Sequence, residues 1–284
     1  MKGESRVTDP MISTVELARM LGKPHTRTVD ASWHLDARDA LAEYRGQHVP
    51  GAVFFDIDAI ADASSPLPHM LPTPETFAVE AGALGIAEDD DIVVYDSVGM
   101  FSAARVWWTF RAMGAARVRV LDGGLPKWIA EGRPLEAGDA APAPTVFNPA
   151  FRPELVRDIA AVQRELADGG QIADARPAAR FEGTAPELRP GLRSGHMPGA
   201  RSLPLSAIVS ADGTLKAKSD LQALFAEAGV DPGAPVTATC GSGITAAGIA
   251  LALARLGNDR GAVYDGSWTE WGAHRGGAVV TGAA

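Results

Sequence analysis

The chain has a single cysteine, Cys240, in 284 residues. One thiol cannot close an internal disulfide or complete a cysteine zinc cage, so neither device holds this fold together. Positive charge is also in short supply, with 26 Lys plus Arg against 35 Asp plus Glu and a formal charge of −9. An acidic chain lacks the broad positive field that non-specific nucleic-acid binding needs, so an anionic ligand must be caught locally. Long hydrophobic runs are missing as well. The longest stretch of small apolar residues, Ala246 to Ala254, is far below the ~20 residues that span a bilayer. The N-terminal MKGESRVTDP has neither the apolar core nor the small-residue cleavage site of a secretory signal. These absences imply a soluble, unprocessed, cytoplasmic protein with no membrane or nucleic-acid partner, and they set the charged residues 1–10 apart from the fold. No His/Asp/Glu cluster has metal-ligand spacing, and no Gly-rich loop leads to the Lys of a phosphate-binding loop, so no metal or cofactor is expected.

What is present is 46% apolar residues, ample for a core, arranged as a sequence that repeats itself at a period of about 145 residues. Val29-Asp30-Ala31, Gln47 to Ala52, Ile92 to Asp96 and Leu121 to Gly124 are answered in order by Ala173-Asp174-Ala175, Gly195 to Ala200, Val236 to Cys240 and Tyr264 to Ser267. In each half, short β-branched runs alternate with helical periods over Pro74–Leu84, Phe101–Met113, Lys218–Ala228 and Thr245–Leu256. That alternation predicts two α/β domains, each a mostly parallel sheet flanked by helices. They span residues 11–135 and 155–284, joined by a proline-rich, semi-rigid linker at 136–154.

The thiol sits where such folds bind ligands. Cys240 follows the strand-like run Pro235–Thr239, and Gly241-Ser242-Gly243-Ile244-Thr245 leads directly into a helix, placing the sulfur at the carboxyl end of a sheet. Gly241 and Gly243 allow the loop to curl with its N–H groups inward, and the helix start adds positive potential. Such a cradle favours thiolate over thiol and marks Cys240 as a nucleophile rather than a small buried hydrophobe. The first repeat has Asp96 at this position, which cannot accept and pass on sulfur, so that domain reads as a scaffold that supplies side chains to an interdomain cleft.

These landmarks resemble the tandem-domain rhodanese superfamily, in which an inactive N-terminal domain with Asp at the cysteine position precedes an active C-terminal one. The resemblance covers about Met11 to Gly282. The loop Cys240-Gly241-Ser242-Gly243-Ile244-Thr245 is similar to the Cys-Gly-Ser-Gly-Val-Thr loop of the 3-mercaptopyruvate sulfurtransferase branch, with Ile244 replacing Val. Thiosulfate-preferring relatives carry basic residues after the cysteine, and this loop has none. The resemblance implies that Arg180 and Arg189 bind the substrate carboxylate, as planar, permanently charged forks suit that group. Arg176 and Arg193 have weaker claims. It further implies a Ser242-His69-Asp58 relay that polarises the reacting groups. A persulfide on Cys240 would pass its sulfur to a thiol acceptor, such as a thioredoxin-like protein, or to cyanide.

His48 and His196 recur in both halves and read as structural turns, and Trp107, Trp108, Trp128, Trp268 and Trp271 read as core. Two alternatives stand beside the mercaptopyruvate reading, a thiosulfate sulfurtransferase and a non-catalytic binding module. A cysteine phosphatase is disfavoured because the Arg it needs six residues after its nucleophile is here Ala246.

Overall fold

The structure, a computed structural model, describes residues 9–283. The first half supplies strands β1 (Met11–Ile12), β2 (Thr26–Asp30), β3 (Ala52–Phe54), β4 (Asp91–Tyr95) and β5 (Val118–Leu121). The second supplies β6 (Val156–Arg157), β7 (Gln171–Asp174), β8 (Arg201–Ser202), β9 (Val236–Thr239) and β10 (Ala262–Tyr264). Each set forms one five-stranded sheet, in the orders β1-β5-β4-β2-β3 and β6-β10-β9-β7-β8. Every pairing between these strands is parallel. The two orders superimpose term by term, so the sequence repeat is a repeat of topology. Central strands covered on both faces read as continuous apolar runs rather than alternations, as in the buried Ile92-Val93-Val94-Tyr95 of β4.

The expected helical segments are observed as Pro74–Ala83, Ala103–Ala112, Lys218–Glu227 and Ala246–Arg255. Thr73 caps the first, its hydroxyl accepting from Thr76 N–H, with Pro74 at the first helical position. The helices Ala103–Ala112 and Ala246–Arg255 pack against one another between the sheets. This explains why Ala246–Ala254 is apolar all round: every one of those residues is buried. A single apolar cluster runs through both halves, from Val29 and Phe110 to Leu251 and Val263.

Of the N-terminal segment set aside from the fold, residues 1–8 lie outside the described residues. Pro10 already belongs to the structure, because its carbonyl accepts the Val120 N–H at 2.8 Å. The proline-rich stretch between the sheets is tied down along the first half. Thr145 N–H bonds the Gly82 carbonyl at 2.9 Å and Ala150 N–H that of Met113 at 2.9 Å, and Phe147 is buried against Phe77 and Phe110. Among the described residues, no helix is long and apolar enough to cross a membrane.

Candidate active site

In both sheets the strand order reverses beside the central strand, between β2 and β4 and between β7 and β9. The carboxyl ends of strands at such a switch point open onto a crevice where α/β proteins bind ligands. Strand β9 delivers Cys240 to that crevice and β7 delivers Ala175, Arg176 and Pro177. The turn after β10 holds the cysteine from behind. The Cys240 N–H donates to Ser267 Oγ at 3.2 Å and its carbonyl accepts Trp268 N–H at 3.0 Å. The Gly241 carbonyl accepts both the N–H and the hydroxyl of Thr269, at 2.8 and 2.7 Å. The Asp265-Gly266-Ser267-Trp268-Thr269 segment thereby fixes the backbone that carries the thiol.

The first repeat supplies an internal comparison. Asp96, equivalent to Cys240, accepts the backbone N–H groups of Val98, Gly99, Phe101, Ser102 and Ala103 at 2.7–2.9 Å. The loop is thus a cradle with its anion built in. Around Cys240 the corresponding N–H groups of Ser242, Gly243, Thr245 and Ala246 have no acceptor among the described residues. Gly99 and Gly243 make the curl possible with φ of 118° and 82°. A cradle of the same shape, with a short thiol in place of a carboxylate, has donors left for an anion that arrives from outside.

The cleft over the thiol has a volume of ≈ 540 Å³. Arg180 and Arg189 both line it, as does Arg176. Arg180 packs against the cysteine loop so closely that a Cβ on Gly241 would lie 3.4 Å from its Nη2. Buried Glu187, which the sequence reading left unassigned, takes the other side of that guanidinium and at 2.7 Å also accepts from Arg176. Arg176 in turn grips Asp174 with its Nε and Nη2 and lies 4.1 Å over the Trp268 ring. Two carboxylates therefore balance Arg176 and Arg180, while Arg189 has no carboxylate partner among the described residues. Arg193 instead binds the carbonyls of Trp271, Gly272, His274 and Gly277, a structural task.

The far wall comes from the first half, through Trp33, Leu35, Val98, Met100 and Phe101; His69 and Asp58 do not line the cleft themselves and lie next to Trp33. His69 Nδ1 lies 2.8 Å from Asp58 Oδ1, an ion-pair distance off the line of a ring hydrogen bond, and Nε2 is buried with no partner among the described residues. Burial, reinforced by the Arg105 and Arg189 guanidiniums, holds the imidazole below its ordinary pKa, while Asp58 pulls the other way. Asp58 also accepts the Trp33 indole N–H at 2.9 Å, and the Trp33 ring meets that of His69 edge-on at 4.9 Å. The structure thus unites His69 with Asp58. Ser242, buried at the loop apex, makes no hydrogen bond to either, so the relay is not closed by direct bonds.

His69 has φ of 61°, and its equivalent in the second repeat, Gly213, has φ of 79°. The left-handed region costs a non-glycine residue about 1–2 kcal/mol. A histidine kept where the other repeat uses glycine points to a task for its ring.

Trp33, Glu187 and Arg105 are site residues that motif reading missed. Trp33 lies three residues past the end of β2, close enough that the strand-end rule that singled out Cys240 would have found it. Arg105 is the one charge inside the Ala103–Phe110 stretch. His48 and His196 are the turn residues expected, each with Nδ1 on a carbonyl, Tyr44 O at 2.8 Å and Phe181 O at 2.9 Å. Trp107, Trp108, Trp128, Trp268 and Trp271 are buried.

Comparison with known proteins accords with this geometry. The rhodanese-like domain family matches twice, over residues 13–131 and 158–274. The 3-mercaptopyruvate sulfurtransferase of Escherichia coli K12 is 45% identical over 261 residues, covering 90% of this chain and 92% of that protein. The thiosulfate sulfurtransferase of Gallus gallus is 43% identical over 249 residues, covering 86% of each. Overall identity thus hardly separates the two donor types. The crystal structure of the 3-mercaptopyruvate sulfotransferase SseA of Escherichia coli superimposes with a TM-score of 0.84 at 42% identity, covering 92% of this chain and 99% of that one. With two matched domains and relatives of this identity along nearly its whole length, the chain belongs to the rhodanese family as a tandem-domain member.

Proposed function

We propose that the protein transfers sulfur from 3-mercaptopyruvate through a persulfide on Cys240. The observation that carries this reading is the contrast between Asp96, whose carboxylate takes five loop N–H bonds, and Cys240, around which four of the five matching N–H groups have no acceptor among the described residues. The Cys240 thiolate attacks the donor sulfur, an S–S bond forms, and the C–S bond breaks with its electron pair passing to carbon. The neighbouring carbonyl takes up that pair as the pyruvate enolate, which then gains a proton. Loop N–H groups stabilise the charged sulfur left on the enzyme. In the second half-reaction an acceptor thiolate, or cyanide, attacks the outer sulfur and Cys240 leaves as thiolate. Thioredoxin-like proteins in the reducing cytoplasm suit that acceptor role.

Donor choice follows from the charges. Gly241, Ser242 and Gly243 supply no cation from the loop itself, which leaves dianionic thiosulfate only the cleft arginines as counter-charge. Arg189, with Arg180 beside the loop, suits the single carboxylate of 3-mercaptopyruvate. Ser242 donates to the developing enolate oxygen, and neutral His69, held by Asp58, serves the proton inventory of the cleft. The thiosulfate reading is favoured by one finding, the 43% identity to a thiosulfate sulfurtransferase.

The deciding test is kcat/KM for sulfur transfer from 3-mercaptopyruvate and from thiosulfate, with Cys240→Ser as blank. A mercaptopyruvate preference lost in the blank is expected. Equal or greater thiosulfate efficiency would reverse the donor assignment, and inactivity with both would leave a binding module.

A further inference from the structure

We propose that Arg105 is a positioning residue of the reaction, a pin from the scaffold domain that sets the His69 strap against the cysteine loop. The proposal rests on the reading of Cys240 and His69 given above. Arg105 lies in the helix Ala103–Ala112 and is 3% exposed. Its guanidinium joins three separate stretches of chain. Nη2 donates to the His69 carbonyl at 2.5 Å, and Nη1 donates to Asp265 Oδ1 at 2.6 Å and to the Gly243 carbonyl at 3.4 Å. The plane is backed by the Trp108 ring at 4.6 Å. Asp265 completes the clamp by accepting Leu71 N–H at 2.7 Å through its other oxygen.

The contacts to Gly243 and His69 bear on the cysteine loop and on the strap beside it. In a trans peptide the C=O and the next N–H point in opposite directions. Holding the Gly243 carbonyl outward on Arg105 therefore turns the Ile244 N–H away from Arg105, and that N–H has no acceptor among the described residues. The bond to the His69 carbonyl fixes the backbone of His69 at its left-handed turn. No room remains between the pin and the loop, because a Cβ on Gly243 would lie 2.8 Å from Arg105 Nη1.

The pseudo-symmetry of the molecule separates this role from mere domain docking. Asp122 is the repeat equivalent of Asp265, and it accepts Leu215 N–H at 2.8 Å, just as Asp265 accepts Leu71 N–H. That strap packs through Gly213 directly on Gly99, whose Cβ would lie 3.0 Å from the Gly213 Cα. The helix position equivalent to Arg105 is Ile249. Arg255 stands in Coulomb range of Asp122 without hydrogen-bonding to it. The strap-to-loop contact thus forms on the Asp96 side with no guanidinium bridge, and the bridge is found on the side that carries the thiol.

Arg105→Lys and Arg105→Met test the pin, with kcat and KM measured for both donors across pH and with urea unfolding as a check on the fold. A lysine ammonium keeps the ion pair with Asp265 but cannot span the two carbonyls. Arg105→Lys should therefore stay folded, keep KM within about 3-fold and lose about 10-fold or more in kcat. Its acid limb should stay in place. Charged groups facing His69 are Asp58, Arg189 and Arg105 itself, so Arg105→Met should also move the acid limb of kcat to higher pH, a change that a purely structural role would not make. A folded Arg105→Lys with the parent kcat, or losses in both variants that track the unfolded fraction alone, overturns the proposal. Cys240→Ser separates it from the underlying reading: transfer that survives this change removes the site itself, whereas transfer abolished by it alongside an indifferent Arg105 removes only the pin.

Discussion

His69 and Gly213 occupy the same point of the two crossing straps and share a left-handed backbone, with φ of 61° and 79°. One strap ends on the loop of Asp96 with a glycine, and the other ends near the loop of Cys240 with an imidazole. The backbone favours glycine in both places, so the histidine carries a conformational cost that the fold alone does not require. Replacing His69 by Gly should leave the free energy of unfolding within about 1 kcal/mol of the parent, strain relief offsetting lost contacts with Trp33. Turnover should fall by about 100-fold. Urea denaturation and steady-state kinetics on the same preparation decide it, and unaltered turnover would strip His69 of its role.

Cys240→Asp copies the first repeat into the second. A carboxylate there gains the N–H donors that the thiol leaves unused, each charge-assisted bond being worth about 1.5–3 kcal/mol before desolvation. The variant should be inactive and yet more stable than Cys240→Ser. A Cys240→Asp protein that unfolds at lower urea than Cys240→Ser would mean that the two cradles are not equivalent.

The pH dependence follows from His69. Burial lowers its pKa from the usual 6.5, with Arg105 and Arg189 adding to the effect and Asp58 opposing it. The imidazole is therefore neutral in the folded protein at neutral pH, and the acid limb of kcat should fall below the ordinary histidine range. Asp58→Asn removes the opposing charge and should carry the limb further down. The sign for stability is the same: the unfolded chain binds the proton more readily, so folding weakens as pH drops from 6.5 towards the folded-state value. A limb that rises in Asp58→Asn would contradict the assignment.

The two arginines differ in their surroundings, and their variants should differ too. Arg189 has no carboxylate partner among the described residues, so Arg189→Met should raise KM for 3-mercaptopyruvate by about 10–100-fold with little loss of fold. Arg180→Met also leaves Glu187 with Arg176 alone, and should add a stability loss of about 1–3 kcal/mol to its KM effect. Equal KM values in parent and Arg189→Met would remove it from the substrate site.

Much of this was legible in the sequence. Periodicity located the helices Pro74–Ala83 and Lys218–Glu227 almost to the residue, and the internal repeat announced two sheets of one topology. Cys240 was readable because strand, glycine loop and helix are contiguous. Asp58 and His69 entered only through family resemblance, for nothing in their spacing from Cys240 declares that one strap crosses to the other domain. Glu187 and Arg105 stayed hidden for the same physical reason. Their partners, Arg176 with Arg180 in one case and His69, Gly243 and Asp265 in the other, are brought together by domain docking and folding-back of loops. A pseudo-twofold interface leaves no periodic trace along the chain.

The central claim, that sulfur passes through Cys240, is tested most directly by intact mass spectrometry of the protein after one equivalent of 3-mercaptopyruvate, with pyruvate assayed in the same sample. Passage through the thiol requires a mass gain of one sulfur atom, mapped to the Cys240 peptide, one pyruvate released per sulfur bound, and return to the starting mass when cyanide or a thiol is added. Pyruvate released by a chain that never gains sulfur, or equal release by Cys240→Ser, would contradict it.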